Sequence, residues 1–115
     1  MEERQALIAF GALSQETRLR ILRQLVKAGP DGVAAGAIAE HVEVSPSNVS
    51  FHLKELERAG LVSSQRNSRS IVYSAEYEAL SGLIRFLMED CCSGRAEICA
   101  PALAPACCAP EAERA

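Results

Sequence analysis

The sequence has no tryptophan, and three phenylalanines and two tyrosines are its only aromatic residues, so its core must be aliphatic. No apolar run approaches the ~18 residues that a membrane span needs, and Met1 to Arg4 do not resemble the start of a signal peptide. The 115 residues correspond to one average domain, which excludes a multidomain enzyme. These absences predict a small cytoplasmic module without a membrane partner.

Cysteine is missing from the first 90 residues, whereas the last 25 contain all five cysteines. The odd number and the lack of an export signal argue against a disulfide framework. Consecutive Cα atoms lie ~3.8 Å apart, below the ~4.4 Å lower end for ordinary disulfides. Neither Cys91 with Cys92 nor Cys107 with Cys108 should therefore close comfortably. The pattern predicts free thiols that are available to bind a ligand.

Excess positive charge is also lacking, since the formal net charge is −3. Residues 14–28 nevertheless contain four basic residues and one acidic residue, and residues 45–74 contain four basic and two acidic residues. A polyanion responds to the local field of the face it meets more than to the net charge. The acidic composition therefore weakens a DNA-binding hypothesis without removing it.

Apolar residues at helical spacing predict three helices in the first part of the chain. The first covers residues 3–12. Ser14 is the predicted N-cap of the second helix, which the turn residues Gly29 to Gly32 end. The third is short and lies around residues 35–41.

A fourth and longer helix begins at Ser45 and Pro46, an N-cap followed by proline at the first helical position, and Gly60 ends it. Its inward stripe is predicted to be Val49, Leu53 and Leu56, with Phe51 partly inward. Two short helices joined by a tight turn are typical of a helix-turn-helix. Period-two segments then predict a hairpin with a basic tip, and an apolar helical stripe predicts a last helix over residues 76–90.

Two stretches of the sequence carry family motifs. Residues 13–22 read LSQETRLRIL, and residues 47–56 read SNVSFHLKEL, followed by AGLV at 59–62. The first resembles the opening of ArsR/SmtB winged-helix repressors, and the second resembles their recognition helix and wing entry. This resemblance covers roughly residues 5–88. It implies a mainly α (α+β) winged helix-turn-helix with a two-stranded wing. It also implies that the protein is not an enzyme but a repressor of operons for handling toxic metal or metalloid ions.

Such a repressor reads double-stranded operator DNA with its recognition helix and touches phosphate with its wing. The residues predicted to contact DNA are Ser47, Asn48, Ser50, His52 and Lys54 on the helix, and Arg66 and Arg69 in the wing. The family forms homodimers, and one small core cannot bury both terminal helices on all sides. The residues predicted at the dimer interface are Leu7, Phe10, Leu80, Ile84, Leu87 and Met88.

The effector must be inferred from the ligand residues. Many arsenic sensors of the family carry Cys-Val-Cys before the recognition helix, but residues 34–41 contain no thiol. Zinc-responsive relatives use Asp and His pairs on the last helix, yet the two histidines here are His41 and His52. What remains is a cysteine group that resembles the arsenite site of one subgroup: Cys91, Cys92 and Cys99.

Three thiolates suit trivalent arsenic, a soft centre that binds them in a trigonal pyramid. Adjacent thiols on an intact helix would diverge by ~100°, so the last turn is predicted to unwind around the ion. The predicted effector is As(III), with Sb(III) as an alternative, and no organic cofactor. Cys107 and Cys108 are weaker candidates that would complete a four-ligand zinc or cadmium site. Residues 1–90 are thus the predicted DNA-binding and dimerisation domain, and residues 91–115 a flexible Ala/Pro-rich tail that carries the metalloid site.

Two other hypotheses stay open. The same fold would sense thiol oxidation if the cysteine pairs react with each other. The acidic neighbours Glu89, Asp90 and Glu97 would raise the thiol pKa values, which counts mildly against oxidation sensing. An enzyme or metal carrier is disfavoured because the first 90 residues contain neither a nucleophile with a plausible His partner nor a phosphate-binding glycine loop.

Overall fold

The structure is a computed structural model that describes residues 1–88 as five helices and one three-stranded sheet. The helices are α1 (Glu3–Leu13), α2 (Glu16–Ala28), α3 (Ala35–Val42), α4 (Pro46–Arg58) and α5 (Tyr77–Met88). The strands are β1 (Val33–Ala34), β2 (Val62–Asn67) and β3 (Ser70–Ala75), in the antiparallel order β1-β3-β2. Helices α3 and α4 form the helix-turn-helix and β2 with β3 the wing, so the predicted fold class is confirmed.

The core lies among α2, α3 and α4 and is aliphatic, as predicted. The side chains in it with no exposed surface include Ile21, Leu25, Ile38, Leu53 and Leu56. Burying one aliphatic side chain of this size contributes roughly 1.5–3 kcal/mol. Among residues 1–88, Tyr73 is the single aromatic member of the buried cluster. Because Leu53 and Leu56 of α4 are both fully buried in this core, their contacts hold α4 against the rest of the domain.

The start of α2 differs from the prediction. Gln15 is its N-cap, and the Gln15 side chain accepts a hydrogen bond from the Arg18 backbone N–H at 2.9 Å. Ser14 Oγ instead donates to the Gly11 carbonyl at 2.8 Å. The prediction of Ser14 as N-cap is wrong because α1 extends to Leu13, and Ser14 then caps the end of α1.

The start and the end of α4 are as predicted. Ser45 is the N-cap, and its Oγ accepts from the Asn48 backbone N–H at 3.3 Å, with Pro46 in the first turn. At the other end Gly60 has φ +82°, a left-handed conformation that glycine adopts without strain. The Leu61 N–H then bonds back to the Leu56 carbonyl at 3.0 Å. These signals fix both ends of the helix independently of its packing.

Replacing Ser45 with alanine is expected to lower the free energy of unfolding by about 0.5–2 kcal/mol, because the Asn48 N–H loses its acceptor. Urea unfolding of both proteins at the same protein concentration measures this difference in the free energy of unfolding. Ser50→Ala is the matched control, since Ser50 is exposed in the interior of the same helix, where alanine is favoured. Equal stability of the two variants would contradict the capping role.

The wing is the predicted hairpin. Its strands pair from Val62 with Ala75 to Asn67 with Ser70, which leaves Ser68 and Arg69 as a two-residue tip. The first strand begins and the second ends within one residue of the prediction. The basic tip therefore stands at the far end of the pair, away from the core.

Strand β1 was not predicted from the sequence. Val33 and Ala34 pair with Tyr73 and Val72 and so attach the α2–α3 connection to the wing. Gly32, with φ +80°, makes this approach feasible, because a Cβ there would lie 2.6 Å from the Tyr73 carbonyl oxygen. A two-residue strand has too short a pattern for period-two analysis to detect.

Helix α5 is anchored on α2. The Tyr77 hydroxyl donates to the Val26 carbonyl at 3.0 Å and lies 3.4 Å from the Leu25 carbonyl. The predicted helix extended to residue 90, and its last two residues, like the whole predicted tail over 91–115, lie outside the described residues. No helix within residues 1–88 has the length and apolar character to cross a membrane.

Candidate nucleic-acid interface

Helix α4 presents a polar face opposite its buried stripe. Four of the five residues predicted to contact DNA from this helix are exposed: Ser47, Asn48, Ser50 and Lys54. The first three lie in the first two turns, just after the N-cap. The buried stripe fixes the rotation of the helix, so these side chains are available to a partner outside the domain.

Phe51 corrects one prediction. It was expected to be partly inward, but 57% of its surface is exposed. Phe51 lies two residues, or about 200°, from the buried Val49, so the helical period itself directs it outward. An exposed phenylalanine beside the polar residues adds an apolar contact, of the kind that reads a thymine methyl group, to this face. Its off-stripe position was the signal available in the sequence.

His52, the fifth predicted residue on α4, has a partner inside the protein. Its Nδ1 accepts a hydrogen bond from Arg18 Nη1 at 3.1 Å, and Arg18 Nε donates to the Ala12 carbonyl at 2.7 Å. The ring also meets Phe51 edge-on, with centroids 5.5 Å apart. His52 is thus half-buried between α4 and α2 rather than fully on the polar face.

Burial, and then the Arg18 charge, lower the pKa of His52 below its usual 6.5, while Glu55 opposes them. Since the pKa is lower in the folded state, the unfolded chain binds the proton more readily. The neutral ring therefore stabilises the fold above about pH 6.5, and this contribution is lost as pH falls through the folded-state pKa.

The wing and α4 present basic side chains without local neutralisation. Arg66 and Arg69, both predicted DNA contacts, are exposed in and beside the tip. Neither these two arginines nor Lys54 forms a salt bridge with any residue in the described part of the chain. Within residues 1–88, three exposed cations of the helix-turn-helix and the wing are thus without a salt-bridge partner and can meet phosphate.

The nearby carboxylates of α4 are occupied by other groups. Glu55 pairs with Arg58 at 3.1 Å, and Glu57 accepts a hydrogen bond from Ser64 Oγ at 3.0 Å. The second contact also joins the end of α4 to the first strand of the wing. It is one direct contact between the two parts of the candidate interface.

The predicted dimer residues form an incompletely covered apolar face on α1 and α5. Leu7 is 64% exposed, Leu87 59% and Phe10 37%. Leu80, Ile84 and Met88 are half-buried. Helices α1 and α5, which carry these residues, contact each other. A contiguous exposed apolar patch indicates an interaction site, whereas single exposed apolar residues do not.

Sequence comparison finds transcriptional regulators. A helix-turn-helix domain family model matches residues 13–65. The HTH-type transcriptional regulator YgaV of Escherichia coli (strain K12) is 35% identical over 88 residues, which cover 76% of this chain and 87% of that protein. The transcriptional repressor SdpR of Bacillus subtilis (strain 168) is 37% identical over 79 residues, 69% of this chain and 84% of its own.

Solved structures share the whole architecture. An ArsR-like transcriptional regulator from Rhodococcus sp. RHA1 superposes with a TM-score of 0.68 at 29% identity, covering 90% of this chain and 93% of its own. The chain belongs to the helix-turn-helix transcriptional regulators, and its winged fold is that of the ArsR-like structure. A homodimeric winged helix-turn-helix domain from Mycobacterium bovis, described as from a possible ArsR-family regulator, matches with a TM-score of 0.60 at 26% identity, over 78% of this chain and 89% of that one.

The described part of this helix-turn-helix regulator offers no metal centre. Within residues 1–88, no three His, Cys, Asp or Glu side chains are grouped closely enough to hold an ion. The cysteines of the predicted metalloid site all lie outside the described residues: Cys91, Cys92, Cys99, Cys107 and Cys108. His41 is exposed and lines an open cavity of about 580 Å³ together with Arg20, Arg23 and Lys27.

Proposed function

We propose that this helix-turn-helix regulator represses transcription by binding operator DNA as a homodimer, with α4 in the major groove and the wing against phosphate. The observation that carries the proposal is the exposed polar face of α4, together with three exposed cations that form no salt bridge within residues 1–88: Lys54, Arg66 and Arg69. A helix held at both ends and along one side is rigid enough to read base edges. That one relative is named a transcriptional repressor supports the direction of control.

The apolar face on α1 and α5 supports the homodimer. Two copies joined there would place two α4 helices related by a two-fold axis, which fits a palindromic operator with half-sites ~34 Å apart. The homodimeric Mycobacterium bovis domain has the same fold. DNA affinity and dimerisation are therefore linked, because a single domain reaches only one half-site.

Replacing Leu87 with aspartate is expected to convert the dimer into monomer at micromolar concentration, because each interface would bury two unpaired carboxylates. Sedimentation velocity measures the species directly. Ile71→Asp is the control, since Ile71 is a comparably branched, exposed aliphatic residue on the wing strand β3. A Leu87→Asp variant that sediments like the unsubstituted protein would exclude this interface.

The proposed effector is As(III), bound by the thiolates of Cys91, Cys92 and Cys99. The support is the donor set: five thiols follow a domain whose described residues contain none. Soft thiolates select a soft ion, and three satisfy trivalent arsenic without a histidine. The cysteines follow α5, which carries part of the proposed dimer face. An ion bound there is placed to alter the dimer that DNA requires.

Release of DNA by arsenite means that the As(III) site and the DNA-binding site are thermodynamically linked. If As(III) lowers DNA affinity by some factor, DNA lowers As(III) affinity by the same factor. Measuring both affinities therefore separates a true effector from an ion that damages the protein.

Fluorescence anisotropy with a duplex from immediately upstream of the gene tests the proposal, in excess non-thiol reductant and with separate arsenite and zinc titrations. Binding that arsenite alone reverses supports the operator and the effector. Binding that ignores arsenite leaves a DNA-binding regulator with a different input, such as an oxidant. No binding to this duplex or to genomic fragments would refute the proposed DNA function.

A further inference from the structure

Arg18 joins three helices through one side chain. It lies in the first turn of α2, its Nε donates to the Ala12 carbonyl near the end of α1, and its Nη1 donates to His52 Nδ1 on α4. Within residues 1–88 it forms no salt bridge. A half-buried guanidinium held by two neutral acceptors is geometrically specific, because its N–H groups have fixed directions.

This contact determines where the His52 proton lies. Arginine stays protonated and can only donate, so Nδ1 of the ring must be the acceptor. The neutral ring then carries its proton on Nε2, which is left as the single N–H donor of the side chain. The charged groups that bear on the ring are Arg18 from α2 and Glu55 from α4. A second proton on the ring would remove the acceptor and break the contact.

We propose that Arg18 is a positioning residue of the DNA-binding face, which ties α4 to the end of α1 and holds His52 in the Nε2–H tautomer. The proposal rests on the proposed function of α4 in DNA binding. Helix α1 carries part of the proposed dimer face, so the Arg18 contact connects the dimer to the recognition helix by two hydrogen bonds. Loss of that contact leaves both helices folded but their mutual position less defined.

Imidazole ¹⁵N NMR of the full chain tests the tautomer without DNA. His41 is an internal control, because it is exposed and outside this contact. At pH 8 we expect Nδ1 of His52 to be unprotonated and Nε2 protonated, and the pKa of the ring to lie below its usual 6.5. In Arg18→Gln we expect the His52 pKa to rise, because the Arg18 charge no longer lowers it, while burial still does. The same tautomer mixture in both wild-type histidines, with no change at His52 in Arg18→Gln, would overturn the proposal.

Operator affinity tests the positioning role. Arg18→Lys keeps the charge but cannot bridge both acceptors with directed bonds, so we expect affinity to fall about tenfold. Arg20→Lys is the matched control: Arg20 lies two residues away on the same helix, is exposed and pairs with Glu16 at 2.7 Å. We expect its affinity to stay within about twofold of the unsubstituted protein.

A double-substitution cycle identifies the route. If Arg18 acts through His52, Arg18→Lys should cost about tenfold in the original chain and less than about twofold in a His52→Ala background. Equal costs in the two backgrounds would overturn the proposal. The two failures are separable: a chain that binds no DNA refutes the proposed function, whereas the NMR measurement decides the His52 contact in either case.

Discussion

Lys54→Glu is expected to lower operator affinity roughly 100-fold. Each subunit would lose a phosphate contact and gain a repulsion, which costs about tenfold, and a homodimer carries the change twice. The slope of log affinity against log salt should also become shallower by about 2, since two counterion-releasing contacts disappear. Fluorescence anisotropy at several salt concentrations gives both quantities.

Lys27→Glu is the matched control. It makes the same substitution and the same change in net charge on another exposed helical lysine, which lies on α2 and lines the cavity that His41 also lines. We expect its affinity to fall less than about threefold, through long-range repulsion alone. Equal losses in the two variants would mean that net charge, and not the α4 face, sets the affinity. An affinity of the unsubstituted protein that barely changes with salt would contradict phosphate binding altogether.

The fold followed from local signals that repeat over many residues. The Ser45 and Pro46 start of α4, its Gly60 end and the wing were predictable because capping, proline and period-two patterns act within a few residues. The exposed positions of Ser47, Asn48, Ser50 and Lys54 followed from the same helical period. The prediction that Phe51 is partly inward is wrong, although the same helical period directs this side chain outward.

Other features depend on contacts between distant residues. The bond between Arg18 and His52 spans 34 positions, and no local pattern distinguishes this arginine from Arg20 or Arg23 on the same helix. Strand β1 exists because Gly32 lets the backbone approach β3 closely. The sequence assigned His52 to the DNA-facing set by its place on α4. What the local pattern missed is that an N–H donor on α2 takes one of its ring nitrogens.

Cys99→Ser is expected to leave operator affinity unchanged and to raise the arsenite concentration needed for release by roughly 100-fold. Loss of groups that only support a metal ligand already costs about 10–100-fold in ion affinity, and a hydroxyl is a poor substitute for a soft thiolate. The same anisotropy titration in non-thiol reductant measures the release. A direct As(III) titration of the free protein, which linkage ties to it, provides the second value.

Cys107→Ser separates the three-thiolate site from its alternatives. It removes one thiol from the same cysteine-rich segment, so it matches Cys99→Ser in chemistry, and we expect it to release DNA at the original arsenite concentration. Unchanged release in Cys99→Ser would exclude Cys99 as the third ligand. Loss of release in Cys107→Ser instead would place the second cysteine pair in the site, as a four-ligand zinc or cadmium centre requires. If both variants lose release and zinc releases DNA as effectively as arsenite, the protein is a thiolate-based sensor that responds to several soft metals.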